Sequence, residues 1–166
     1  MIAELINKYA IEHDLRPDVI TCVILQESGG SPFAFRFEPG FYKKYLVNKT
    51  RVELTGWVPG IQELPNLETE KQARATSWGL MQVMGETARW CAKTTFPYLT
   101  ILCDPEKGIE AGCLVLAYYL NKEKGDYRRA LARYNAGSVS VTGLEYADKV
   151  LERIRKEEHM QFFKGE

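Results

Sequence analysis

Two histidines, His13 and His159, are all the imidazole this chain has, and its four cysteines, Cys22, Cys91, Cys103 and Cys113, stand at no CxxC spacing. That pattern argues against a zinc site, so neither a metal nor a cofactor is expected. Charge of one sign is missing too: 22 basic residues cancel 22 acidic ones. Without a basic excess there is no electrostatic footprint for nucleic acid or for an anionic membrane surface. No apolar run approaches the roughly 20 residues that span a bilayer, so membrane insertion is not expected. The start, Met1-Ile2-Ala3-Glu4-Leu5-Ile6-Asn7-Lys8, lacks the basic, apolar and small-residue regions of a secretory signal. The chain is therefore expected to be cytoplasmic when made, to be a processed fragment, or to travel by a route that needs no signal. Period-two alternation, the mark of a half-buried strand, persists nowhere convincingly. Internal repeats, low-complexity tracts and dividing linkers are also missing.

What is present is an ordinary folded composition, 45% apolar and 27% charged over 166 residues. That length suits one domain with a real core. Helical spacing dominates. Ile2, Leu5, Ile6, Tyr9 and Ala10 predict a helix to about His13. Arg16-Pro17 opens a second, because the fixed φ of proline suits a first helical position, and Gly29-Gly30 stops it after about Glu27. From Pro32 to about Leu67 the pattern breaks at Pro39-Gly40, Thr55-Gly56, Pro59-Gly60 and Pro65-Asn66, among scattered aromatics from Phe33 to Trp57. A long irregular segment here, with room for short helices or a small hairpin, is the kind that forms a lid or groove wall. Helices are expected again over residues 68–75, from Glu86 to Thr94, from Pro105 through Ile109, Cys113, Leu116 and Leu120, after an Asp126 cap, and around Tyr146, Val150 and Ile154. The mixed-sign tail at residues 151–158 reads as a solvated face, and Cys22 and Cys113, inside apolar stretches, as buried thiols.

Glu27 is the acid in the most telling setting. It follows the apolar stretch 19–26 and precedes Ser28-Gly29-Gly30, so it is expected at a helix C-terminus with hydrocarbon behind and an opening in front. Apolar surroundings and the negative helix end both disfavour its charge. The dipole contributes roughly 0.3–1 kcal/mol, less than the 1.36 kcal/mol or so of one pKa unit. Desolvation is therefore expected to dominate. A carboxyl kept protonated near neutral pH is what a general acid must be.

Four segments stand out, and each has a plain structural reading when taken alone. Glu27-Ser28-Gly29-Gly30 is also a helix end; Ser77-Trp78-Gly79-Leu80-Met81-Gln82-Val83-Met84 is also a loop entering a helix. Arg133-Tyr134-Asn135-Ala136-Gly137 is also a helix stop, and Tyr146 with Val150 is also a core pair. In this order, however, they resemble the soluble lytic transglycosylase family, the goose-lysozyme-like enzymes that cleave peptidoglycan. Glu27-Ser28 matches the family's catalytic pair, Gly79-Leu80-Met81-Gln82 its Gly-Leu-Met-Gln segment, Tyr134-Asn135-Ala136-Gly137 its Tyr-Asn-Ala-Gly segment, and Tyr146 its late tyrosine. Asp104 to Gly112 resembles the family's helix start between the second and third motifs. Departures are Gly85 in place of a proline, Gly108 in place of an asparagine, and a longer spacing between Glu27 and Gly79.

The resemblance implies a mainly α, lysozyme-like single domain over 1–166 with an inserted aromatic-rich segment at about 31–67. It implies cleavage of the β-1,4 bond between N-acetylmuramic acid and N-acetylglucosamine, with Glu27 as acid and then base and 1,6-anhydro ends as product. Ser28, Gly79, Met81, Gln82, Tyr134, Asn135 and Tyr146 would bind or shape the substrate site, Tyr146 by holding Glu27. The expected partner is the peptidoglycan glycan strand, acted on by a monomer in the wall or periplasm, from a phage lysin or virion or from a bacterium. Glu38, in Phe35-Arg36-Phe37-Glu38-Pro39, is a candidate second carboxylate for a water-using muramidase; an ion pair with Arg36 or Lys43 is the favoured alternative. A non-catalytic glycan-binding module is the remaining rival.

Overall fold

The computed structural model describes residues 2–55, 66–93 and 98–162. Its contacts divide into two compact units, a terminal unit of residues 1–30 with 113–166 and a middle unit of residues 31–112. The fold is mainly α.

In the terminal unit, helix α1 (Ile2–Glu12) buries Ile6, Tyr9 and Ala10, the face read from the sequence. Helix α2 (Pro17–Ser28) has Pro17 in its first turn after an extended Arg16, and Gly29 caps it in the left-handed region. Its amide donates to Leu25 O at 3.3 Å. Helix α7 (Pro105–Lys122) begins in the middle unit and ends in the terminal one. Helix α8 (Tyr127–Ala136) is capped by Asp126, whose carboxylate accepts from the Arg129 amide at 3.1 Å. Helix α9 (Val141–Arg155) starts at Ser140, whose hydroxyl accepts from the Gly143 amide at 3.2 Å. α9 packs on α8 and α2, and a 3-10 turn at Glu158–Phe162 lies against α2 and α9. Gly143 is required for the α8–α9 approach, because a Cβ there would run into the backbone of Ala132. Ile20, Ile24, Leu116, Leu131 and Val150 are fully buried between these helices.

Short elements of the kind the sequence leaves room for occupy the described first part of the middle unit. Strand β1 (Phe35–Phe37) leads into helix α3 (Pro39–Phe41), a π-helical turn at Tyr42–Leu46 and helix α4 (Arg51–Thr55). The turn signals at Pro59-Gly60, and parts of those at Thr55-Gly56 and Pro65-Asn66, fall outside the described residues, as do Trp57 and Thr94. Helix α5 (Leu67–Arg74), strands β2 (Thr76–Trp78) and β3 (Val83–Met84), helix α6 (Gly85–Trp90) and a 3-10 turn at Leu99–Cys103 follow. The strands form an antiparallel sheet in the order β1-β2-β3, with Phe35 opposite Trp78 and Phe37 opposite Thr76. Strands this short show little period-two alternation, and all three residues of β1 are exposed, so no alternating pattern announces them.

Among the described residues, two buried clusters of this unit stand out. Leu46, Leu54 and Ala75 pack with Phe41, Tyr42 and Leu67. The second is ionic. Glu70, Arg74 and Arg89 are fully buried. Glu70 Oε1 accepts from Nε of both arginines at 2.8 Å, and Arg89 Nη2 donates to Oε2 at 3.0 Å. Arg74 also donates to Leu54 O at 2.9 Å and to Glu86 at 3.2 Å.

Candidate active site

The last turn of α2 presents Glu27. Thr21, Cys22, Val23 and Ile24 are wholly buried, while Gln26, Glu27 and Ser28 are half-buried. The helix thus emerges from hydrocarbon at the acid, as the sequence predicts. Ser28 Oγ donates to Ile24 O at 3.1 Å and accepts from the Gly30 amide at 3.2 Å, bracing the turn after Glu27. Tyr146, on α9, donates its hydroxyl to Glu27 Oε1 at 2.6 Å. The α2–α9 packing thus joins residues 119 positions apart. Tyr146 is itself buried, which fixes the ring and hence the donor. Burial pushes its phenol well above the usual tyrosine range; the charge of Glu27, the hydrogen bond to it and Tyr134 add to the rise. The hydroxyl therefore keeps its proton through neutral pH and remains a donor.

Tyr134 is half-buried near the end of α8, Asn135 is exposed, and Gly137 closes the helix in the left-handed region. Two further residues belong to this constellation, and the sequence reading does not single them out. Arg153 Nε donates to Gln26 Oε1 at 2.9 Å, and Arg153 also pairs with Glu158. Tyr146, Val150 and Arg153 follow i, i+4, i+7 along α9, so the helical period that marks Tyr146 also marks Arg153. Together Tyr146 and Arg153 fasten the last turn of α2 at two adjacent side chains.

The middle unit carries the remaining motif residues. Gly79 sits at φ 71°, and a Cβ there would collide with the Leu102 carbonyl, so only glycine fits. Gln82 takes a positive φ of 47° as well. Its amide nitrogen donates to Ala34 O at 2.9 Å and Gly79 O at 3.0 Å, and the Gly79 amide donates to Ala34 O at 2.8 Å. Gly79 to Gln82 is therefore a turn tied by its own side chain to the residue before β1. Met81 is fully buried, its side chain filling the space a Cβ at Gly112 would need. Glu38 accepts from Arg36 Nε at 2.5 Å, so the predicted ion pair forms with Arg36.

All four cysteines are free thiols; Cys22 and Cys113 are buried, and burial pushes them up to about 11 and about 12. Among the described residues no group of His, Cys, Asp and Glu is placed to hold a metal ion. No described helix is long and apolar enough to cross a membrane.

A family model, the transglycosylase SLT domain, matches residues 4–152. Searches of curated proteins and of solved structures find no match. Glu27-Ser28, Gly79 to Gln82, Tyr134 to Gly137 and Tyr146 all lie inside the matched span. The chain belongs to the transglycosylase SLT domain family, a mainly α, lysozyme-like fold of the lytic transglycosylase type that cleaves peptidoglycan.

Proposed function

We propose that this protein is a lytic transglycosylase that cuts the β-1,4 bond between N-acetylmuramic acid and N-acetylglucosamine with Glu27 as its acid and base. The observation that carries the reading is the 2.6 Å bond from the Tyr146 hydroxyl to Glu27 Oε1. A donor fixed on Oε1 directs the transferable proton to Oε2, on a side chain whose rotation is already restrained. Positioning of this kind is a large part of what an acid catalyst needs.

Glu27 gives its proton to the glycosidic oxygen as the C1–O bond breaks and an oxocarbenium-like centre forms. The C6 hydroxyl of the same muramic acid attacks C1, and its proton returns to the Glu27 carboxylate. The product is a 1,6-anhydro end and a free 4-hydroxyl, with no water consumed. One carboxylate suffices for that cycle. Ser28, Gly79, Met81, Gln82, Tyr134 and Asn135 are assigned to shaping or lining the glycan site, with Met81 and Gly79 acting through packing and backbone rather than exposed polar groups. The whole chain is assigned to one catalytic domain working as a monomer.

Glu38 is the residue a water-using muramidase would draw on, and its carboxylate is engaged by Arg36 at 2.5 Å. Mass spectrometry of digested peptidoglycan tests the assignment: anhydro ends are lighter than reducing ends by one water. Reducing ends that disappear in Glu38→Gln would replace the transglycosylase reading with hydrolysis. Wall binding without soluble fragments would replace it with a binding module.

A further inference from the structure

One face of the middle unit's sheet is unusually aromatic. Phe35 and Phe37 alternate onto the same side of β1, and their cross-strand partners Trp78 and Thr76 share that side. Phe35 is 68% exposed and Phe37 43% exposed, and Tyr98 nearby is 60% exposed. Leaving such rings in water is costly, and contiguous apolar patches of this sort mark binding sites. The rings are also pre-set. Phe35 stacks on Trp78 with centroids 6.1 Å apart, and the indole N–H is spent on Ala73 O at 2.9 Å, which fixes the plane of the ring.

These residues line a cavity of about 310 Å³, with Gln72, Thr76 and Leu99 on its walls. That volume is at the small end for ligand pockets and suits a single ring-sized unit. The polar walls are neutral hydroxyls and an amide. The one charged lining residue, Glu70, is fully buried and held by Arg74 and Arg89, so its charge is already matched. A neutral lining disfavours a charged ligand such as a stem peptide, whose carboxylates would lose water without a partner. It favours a ring with an apolar face for the aromatics and hydroxyl or acetamide edges for the walls.

We infer that this aromatic cavity on the β1–β2 face binds a neutral N-acetylhexosamine unit of the glycan strand, as a sugar contact made by the middle unit alone. The inference rests on the reading of the protein as a glycan-cleaving enzyme, but it does not involve Glu27. It gives the aromatic-rich segment after α2 a purpose: β1 supplies a stacking platform to a strand that the enzyme must hold.

The test is a titration of the full-length Glu27→Gln protein with a neutral N-acetylglucosamine tetramer, followed by NMR at the Trp78 indole and the β1 amides. Saturable shifts at those resonances, with a dissociation constant on the order of millimolar for a contact of one ring, are the expected result. Phe35→Ala and Gln72→Ala, both at exposed positions, should each weaken that binding, Phe35→Ala by about tenfold. Silent resonances, or equal binding by Phe35→Ala, would overturn the assignment. So would equal shifts produced by stem peptide alone, or shifts that appear on concentrating the protein without sugar, which would mark a self-contact. If Glu27→Gln still cleaves peptidoglycan, the catalytic reading fails while these resonances still report on the cavity.

Discussion

The two units place a glutamate against their cores in opposite ways. Glu70 of the middle unit is fully buried, with both carboxylate oxygens held by the guanidinium groups of Arg74 and Arg89. Its charge is matched in place, and the cluster locks α5, α6 and the α4 backbone through Leu54. Glu27 of the terminal unit is half-buried at a helix end and receives the neutral hydroxyl of Tyr146. Two permanent cations hold Glu70, whereas a neutral phenol holds Glu27. The same side chain is thus a structural anchor in one unit and, in the function proposed above, a proton carrier in the other.

Substitutions at the two glutamates should separate these roles most sharply. Glu27→Gln is expected to lower the rate of glycan release by on the order of 10²–10⁴-fold, with unfolding free energy changed by less than about 1 kcal/mol. Turnover of sacculi and denaturant melts measure the two sides; near-normal turnover would remove Glu27 from the chemistry. Glu70→Gln should do the reverse. It leaves two buried guanidiniums short of charge, and the expected loss is about 3–5 kcal/mol of stability. If it melts like the parent, the ionic cluster is not what holds the middle unit together.

Tyr146→Phe probes the connection itself. Removing a hydrogen bond to a charged group, worth roughly 1.5–3 kcal/mol, should lower kcat by about ten- to a hundredfold while KM stays close to the parent value. A change confined to KM would mean that Tyr146 binds substrate rather than positioning the acid. The smallest contrast lies in the thiols. Burial raises Cys22 to about 11 and Cys113 to about 12 in the terminal unit, and Cys91 to about 11 in the middle unit. Because the unfolded chain loses these protons first, near pH 9, stability present below that pH should decline as pH rises toward 11. The slope is at most about 1.4 kcal/mol per thiol for each pH unit. Urea melts from pH 8 to 10.5 measure the decline, and a flat profile would mean that these thiols are not buried in solution.

Much of this architecture is legible in the residues. Pro17 and Gly29 bracket α2, Asp126 opens α8, and the apolar repeats of α1, α7 and α9 face the core as their spacing predicts. The sheet is hidden because β1 is short and exposed on both faces, so its stability comes from pairing with β2 rather than from its own pattern. The buried cluster is only half visible: Glu70 and Arg74 are one turn apart on α5, but Arg89 arrives from α6.

The order of motifs, the seat of Glu27 at a helix end and the neutral overall charge are local or additive properties, and the chain by itself determines them. Which hydroxyl reaches Glu27, that Arg153 grips Gln26 beside it, and that Gln82 ties its own turn to Ala34 are decided only by tertiary packing. The reason is geometric: a hydrogen bond needs two atoms within about 3 Å. Residues 119 positions apart meet at that distance only when their helices have packed.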